Sequence, residues 1–282
     1  MNKNRITIRV GHGTLSFSVR GDLSSPTPNI GNADERADGG EEQPCVTFEP
    51  YVVRSGVSIA ANLREAFKTS DLLATNAQMA RVLADTPVLM VPMEQFEEQL
   101  MNTYYAYAFP DLQHNHVLYN ILPDLNAVAV FSINSDLKLV LDDHFRNVSF
   151  YCALTPVWRH LHQRSLNGVR NKLYGYFHER RLDIFAFQKN RFKFCNQFET
   201  NHVKDALYFL LYVWQQLALD ASHDELYLVG DLPDEGGELL TSLNEYVKKV
   251  RVINPAEEYG ESSLTRTKGM PYDLMTLFAK EQ

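Results

Sequence analysis

The sequence predicts an α/β protein of two domains, each built on a mixed five-stranded sheet flanked by helices, with a cleft between them. Three observations carry this. The segment DELYLVGDLPDEGGELLTSLNEYVKKVRVINP, Asp224 to Pro255, reads as strand, Gly-rich loop, helix and strand, the arrangement that places a ligand above strand ends in α/β proteins. The pattern β-β-β-α-β-α-β can be traced twice along the chain, an internal duplication at the level of element order. The length of 282 residues exceeds that of a common single domain and leaves about 140 residues for each copy.

In chain order, Ile6 to Val10 alternates apolar with polar residues, turns at Gly11-His12-Gly13 and resumes as Leu15, Phe17 and Val19, a hairpin signature. Gly21 to Gln43 is polar and acidic with little to bury, and reads as a long mobile loop. Cys45 to Val53 returns as a strand, and Ser58 to Leu73 has helical apolar spacing. Val88 to Val91 is a short strand closed by Pro92, and Glu94 to Tyr107 reads as one amphipathic helix with Phe96, Leu100, Met101 and Tyr104 inward. Strands follow at His116 to Leu122 and Ala127 to Ile133. Asn134-Ser135-Asp136 caps a helix from Leu137 to His144, Val148 to Leu154 is strand-like, and Thr155-Pro156 opens a helix to Ser165. After a polar link at Asn167 to Asn171, Lys172 to Phe177, Leu182 to Phe187 and Arg191 to Phe198 form three antiparallel strands. The longest helix, Asn201 to Asp220, has a wide apolar face. Beyond the Asp224–Pro255 unit, Glu257 to Gly269 is a polar connector and Tyr272 to Ala279 a final helix.

Composition removes several classes of function. Hydrophobic residues at 45% exclude wholesale disorder, and a formal charge of −8 argues against a nucleic-acid partner. Arg180, Arg181, Lys189, Arg191 and Lys193 are the best local basic patch, read as the solvated face of a hairpin. Cys45, Cys152 and Cys195 form no CxxC pair, so neither a zinc site nor a disulfide framework is indicated, and three free thiols fit a reducing cytoplasm. No basic n-region followed by an apolar h-region opens the chain, and no apolar run approaches a membrane span.

Three stretches resemble the actin, Hsp70 and sugar-kinase superfamily, in particular its type IV pilus-assembly branch. They are AVAVFSINSDLKLVLDDHFRNVSFYCALTPVWRHL (Ala127 to Leu161), LYGYFHERRLDIFAFQKNRFKFCNQF (Leu173 to Phe198) and ELYLVGDLPDEGGELLTSLNEYVKKVRVINP. The chain looks like an uncharacterised bacterial family, a domain of unknown function with an actin-like ATPase fold. The resemblance implies two ribonuclease-H-like domains, at residues 1–166 and 167–269. It also implies a terminal helix, PYDLMTLFAK within 270–282, returning to the first domain.

Members of that superfamily hold Mg-nucleotide through an Asp-x-Gly-Ser/Thr turn in each opening hairpin, where glycines let backbone N–H groups approach phosphate and the acid positions the metal. Here the first turn is Arg9-Val10-Gly11-His12-Gly13-Thr14, with glycines and a Thr but no acid. The second, His178-Glu179-Arg180-Arg181, has no glycine, although Arg180 and Arg181 could attract an anion. The third keeps Gly230 but follows it with Asp231, which would repel phosphate unless a metal intervened. Candidate ligand-binding residues are therefore Gly11, Gly13, Thr14, Arg180, Arg181, Gly230, Asp231, Gly236 and Gly237, against the plain alternative of ordinary turn chemistry. No catalytic or metal-ligating residue is assigned. No G-x-S-x-G, Walker or HExxH motif occurs, and the pairs His114/His116 and His160/His162 read as surface histidines. The acidic clusters Asp142-Asp143 and Asp231/Asp234/Glu235 read as solvation, and Tyr104, Tyr105 and Tyr107 as core and flank. The expectation is a non-catalytic scaffold binding a protein partner, with no cofactor. The alternatives are a nucleotide switch holding ATP and Mg²⁺ without efficient hydrolysis, and a small-molecule enzyme with an unrelated cleft site, which acids facing the cleft would reveal.

Overall fold

The computed structural model describes residues 5–21, 46–75, 77–166, 168–188, 191–233, 237–260 and 262–280. The acidic loop expected at 21–43 lies, but for Gly21, outside the described residues, as do Cys45, Lys189, Asp234, Glu235 and Gly236.

Two five-stranded mixed sheets share one topology. The first contains β1 (Arg5–Val10), β2 (Leu15–Arg20), β3 (Val46–Tyr51), β4 (Met79–Ala84) and β8 (Asn147–Cys152), in the order β3-β2-β1-β4-β8. The second contains β9 (Lys172–His178), β10 (Arg181–Gln188), β11 (Arg191–Glu199), β12 (Glu225–Gly230) and β13 (Val250–Val252), in the order β11-β10-β9-β12-β13. In each, the opening strand pairs antiparallel with the second and parallel with the fourth. This is the duplication expected from element order, and the chain has the actin-like ATPase fold, two ribonuclease-H-like sheets flanked by helices.

The first copy carries an insertion. Between β4 and α3 (Ser135–His144) lies a three-stranded antiparallel sheet of β5 (Leu89–Pro92), β6 (His116–Leu122) and β7 (Ala127–Ile133), in the order β5-β7-β6. The strand expected at Val88 to Val91 therefore belongs to this inserted sheet, and the main-sheet strand β4 is one that the sequence pattern does not show. The segment Met79-Ala-Arg-Val-Leu-Ala contains strong helix formers, and its strand state is imposed by parallel pairing to β1 and β8 on either side. The expected helix Glu94 to Tyr107 is two 3₁₀ turns followed by α2 (Met101–Ala108). Tyr105 rather than Tyr104 is its buried residue, because its hydroxyl donates to the Pro87 carbonyl at 2.8 Å and reaches Ser132 Oγ at 3.1 Å. The expected connector 257–269 takes in the end of a short helix α7 (Pro255–Tyr259) and all of α8 (Ser263–Arg266), and buried Leu264 anchors α8 in the core.

Strand alternation assigns the faces. Ile6, Ile8 and Val10 of β1 pack under α1 (Ile59–Thr69) and α3, while Leu173 and Phe177 of β9 pack under α5 (Val203–Gln216) and α6 (Gly237–Tyr246). α1 starts where Ser58 accepts a hydrogen bond from Ala61 N, and α5 starts with a reciprocal capping pair between His202 and Asp205. The opposite faces of the sheets meet in a shared core of Phe131, Trp158 of α4 (Thr155–Ser165), Tyr174, Tyr176, Phe185 and Tyr272. The terminal helix α9 (Tyr272–Ala279) closes the back of the first sheet, burying Leu274 and Phe278 with Val46 and Leu83. No helix among the described residues is long and apolar enough to cross a membrane.

Candidate functional site

The two opening hairpins, β1–β2 and β9–β10, meet at their tips. In β1, alternation sends Ile6, Ile8 and Val10 to the helical core and Thr7 and Arg9 to the face between the two sheets. Arg9 is therefore on the face that sequence pattern assigns to water, yet it is only 2% exposed. Its guanidinium donates to three carboxylates from three parts of the chain. Nε reaches Asp273 Oδ2 at 2.8 Å, Nη2 reaches Asp85 Oδ2 at 3.1 Å, and Nη1 reaches Glu179 Oε1 at 2.5 Å. Asp85 directly follows β4, and its N–H continues the β4 pairing by donating to the Val10 carbonyl. Asp273 lies in the first turn of α9, and Glu179 sits at the tip of the β9–β10 hairpin.

Glu179 occupies the amides of the first turn. Its Oε2 accepts from the N–H of His12 at 2.7 Å and of Gly13 at 3.4 Å, and its Oε1 accepts from the Thr14 hydroxyl at 2.7 Å. The glycine at position 11 makes the approach possible, since a Cβ there would lie 2.1 Å from Glu179 Oε1 and 2.7 Å from Arg9 Nη1. The cost appears in the second turn. Glu179 and Arg180 both have positive φ, 46° and 61°, in a two-residue hairpin that ordinarily selects Asn and Gly. Strained backbone persists where surrounding bonds over-determine it, and here the bonds are those of the Glu179 carboxylate.

A second layer backs the first. Asp85 Oδ2 also accepts from Arg181 Nη2 at 2.7 Å and faces His178 Nδ1 at 3.1 Å, while His178 Nε2 lies 2.5 Å from Asp183 Oδ2. Gln197 donates to Asp183 at 3.3 Å. Burial would raise the Asp85 carboxyl, but His178, Arg9 and Arg181 outweigh it and hold it well below the usual carboxylate range. Burial would likewise favour neutral His178, yet Asp85 and Asp183 raise it to about 10, so the ring is a buried imidazolium at neutral pH. Glu179 is held low against burial by Arg9 and Thr14. Burial also works against the Arg9 charge, and the facing Asp273 and Asp85 keep it protonated all the same.

Of the candidates named from sequence, Gly11, Gly13, Thr14 and Arg181 converge on this cluster. The expectation that Arg181 belongs to a solvated basic face fails: it is 7% exposed and paired with Asp85, because its strand position faces the neighbouring sheet rather than water. Arg180 is exposed. Gly230, with φ 93°, packs against the Phe177 carbonyl, and Asp231 donates its N–H to that carbonyl at 2.9 Å. Both line a cavity of about 390 Å³ with Thr14, Tyr51, Glu179 and Tyr272. Gly237 opens α6 away from that cavity, and Gly236 is outside the described residues. The presumed surface pair His160/His162 is split: His162 is 5% exposed, while His160 bonds Glu258, which also accepts from Arg164 and Tyr272. Among the described residues no three His, Cys, Asp or Glu side chains are placed to hold a metal.

Sequence reasoning missed Arg9, Asp85, His178, Glu179, Asp183 and Asp273 as members of the site. The available signals were weak: a lone acid after an apolar strand, and an acid near the start of an otherwise apolar terminal helix. Four acids at the cleft, Asp85, Glu179, Asp183 and Asp273, are engaged by Arg9, Arg181 or His178, while Asp231 lines the cavity beside them and is exposed. A guanidinium lies beside the first turn, where a cation would be repelled, and a carboxylate occupies the turn's amides, where a phosphate would be repelled. As arranged, these residues do not fit a magnesium-bound nucleotide.

The fold has solved counterparts. A Bacteroides thetaiotaomicron protein with an actin-like ATPase fold and unknown function superposes with a TM-score of 0.79 at 24% identity, covering 99% of this chain and 96% of its own. A PilM–PilN type IV pilus biogenesis complex superposes at 0.61 with 11% identity, covering 99% of each chain. No curated protein matches the chain. The family model described as "Protein of unknown function (DUF3822)" matches residues 39–250, and the chain belongs to that family.

Proposed function

We propose that this protein is a non-catalytic interaction module, an actin-like ATPase fold retained as a platform for a protein partner. One observation carries the reading: the Glu179 carboxylate sits on the amides of the Gly11–Thr14 turn, and Arg9 clamps it there. An internal anion held in place by the fold has a high effective concentration and competes with a diffusing phosphate for those donors. The cluster joins the proposed domains 1–166 and 167–269 and the returning segment 270–282 through Arg9, Glu179 and Asp273. This favours a rigid surface over a cleft that opens and closes. The solved PilM structure is a complex with a protein, PilN, and this supports a partner-binding role on the same fold.

Thermal unfolding with and without millimolar Mg-ATP, Mg-ADP and Mg-GTP tests this. A ligand at about 100 times its dissociation constant adds about 2.7 kcal/mol, a shift of several degrees for a chain of this size. An unchanged midpoint with all three is expected. A reproducible rise with any one overturns the reading in favour of a nucleotide switch.

A further inference from the structure

Three elements each bring a cation to one cavity of about 270 Å³ between the first sheet, α4 and α9. In β4, Arg81 and Leu83 are two residues apart and share a face. In α4, Thr155 and Arg159 are one turn apart, and Thr276 and Lys280 repeat that spacing at the end of α9. Tyr151 of β8, paired in register with Leu83, and Leu277 of α9 add apolar wall. The cavity shares no lining residue with the Arg9 cluster or with the cavity at Gly230.

The charges here are not balanced from within. Arg159 gives Nε and Nη2 to Asp124 at 2.8 and 3.1 Å, which fixes its guanidinium and leaves Nη1 outside that pair. Asp124 itself does not line the cavity, and no acid among the described residues does. Partial burial and the charge of Arg159 lower Lys280 to about 8, against the pull of Asp124. At the same wall the hydroxyl of buried Thr155 has no hydrogen-bond partner among the described residues. Three cations and an orphaned hydroxyl around apolar walls favour an anion that also brings hydrocarbon.

The donors favour a carboxylate over a phosphate. Phosphate sites at helix starts are built on backbone N–H groups. The first amides of α4, those of Leu154 and Thr155, lie against the Cys152 thiol instead, and Pro156 has no N–H to offer. Side-chain guanidinium and ammonium groups remain, and a planar guanidinium matches the edge of a carboxylate. The volume lies just under the roughly 300 Å³ at which ligand pockets for drug-sized molecules begin, so the ligand is small. We infer that this cavity binds a small organic carboxylate, its carboxyl group meeting Arg81, Arg159 and Lys280 and its hydrocarbon part lying against Leu83, Tyr151 and Leu277. This site is independent of the partner-binding reading above.

The experiment titrates hexanoate, octanoate, benzoate and phenylacetate into the full chain at constant ionic strength, each beside its uncharged primary amide, with inorganic phosphate as the competing anion. Binding is read by saturation-transfer NMR on the ligand and by isothermal titration calorimetry. Lys280 is exposed, and Asp124, the partner Arg159 would leave, is half exposed, so Lys280→Glu and Arg159→Gln keep the fold, which an unchanged unfolding midpoint checks. The expected result is saturable binding of at least one carboxylate at one site per chain, none of its amide, and a tenfold or greater loss in each variant. Equal binding of acid and amide, phosphate binding as tight as the carboxylates, affinity unchanged in either variant, or no saturable binding each overturn it. A nucleotide effect on the midpoint that persists in Lys280→Glu belongs to the cleft, which keeps this test separate from the nucleotide titration.

Discussion

Replacing Arg9 with Met probes the cluster most directly. The substitution keeps an unbranched apolar stem of similar length and deletes only the charged head. Asp85 retains Arg181 and His178, and Glu179 retains the His12 and Gly13 amides and the Thr14 hydroxyl. Among the described residues Asp273 is left with the Tyr176 hydroxyl at 3.5 Å, on a side chain that is 1% exposed. Removing one partner of a buried ion pair costs about 3–5 kcal/mol, because the remaining charge stays desolvated and unpaired. At roughly 2 °C per kcal/mol for a chain of this size, the unfolding midpoint should fall by about 6–10 °C. The double variant Arg9→Met, Asp273→Asn removes the stranded charge as well, and should recover at least about 1 kcal/mol relative to the sum of the single changes. Differential scanning calorimetry on the four proteins measures both quantities. A drop below about 2 °C for Arg9→Met, or strict additivity in the double variant, would refute the claim that Arg9 is the counter-ion on which the buried acids depend.

Stability should also depend on pH in two limbs. His178 has a folded pKa of about 10 against an ordinary 6.5, so its contribution is complete below about 6.5 and is lost as pH rises toward 10. Glu179 and Asp85 are held low, so their contribution is present above the ordinary carboxylate range and fades as pH falls through their depressed values. His178→Gln should flatten the alkaline limb of a midpoint-versus-pH curve and leave the acid limb in place. The glycines of the first turn should separate cleanly. Gly11→Ala drives a Cβ into the Glu179 carboxylate and should cost about 1–3 kcal/mol in urea denaturation. Gly13→Ala, with no atom within 4 Å of the new Cβ, should stay within about 0.5 kcal/mol of wild type.

Much of the architecture was legible without coordinates. The hairpin turns at 11–13 and 178–181, the capped helix starts, the strand–loop–helix–strand unit at 224–255 and the terminal helix are local features, set by residue period and turn chemistry. Their repetition in order is enough to name a duplicated α/β fold. Missing acid in the first turn and missing glycine in the second were also visible, and these point away from a working phosphate site. The sequence was silent on strand β4, whose helix-forming residues are held extended by two neighbouring strands, and it misread the helix around Tyr105, whose burial depends on a hydroxyl partner 27 residues away at Ser132.

What only the tertiary structure decided is the fate of the charges. In the sequence, Arg9 and Arg181 are polar residues on alternating strands, and such positions read as a wet face because a lone sheet has one. Packing α9 and the second sheet's hairpin against that face removes the water, and a buried guanidinium then requires carboxylates from wherever the chain can supply them. Asp85, Glu179 and Asp273 answer from positions 76, 170 and 264 residues away, separations at which no local pattern records a pairing. The amino-acid order by itself determined that the first turn has no acid and the second no glycine. The fold determined that the two turns close on each other, with one hairpin's carboxylate seated on the other hairpin's amides.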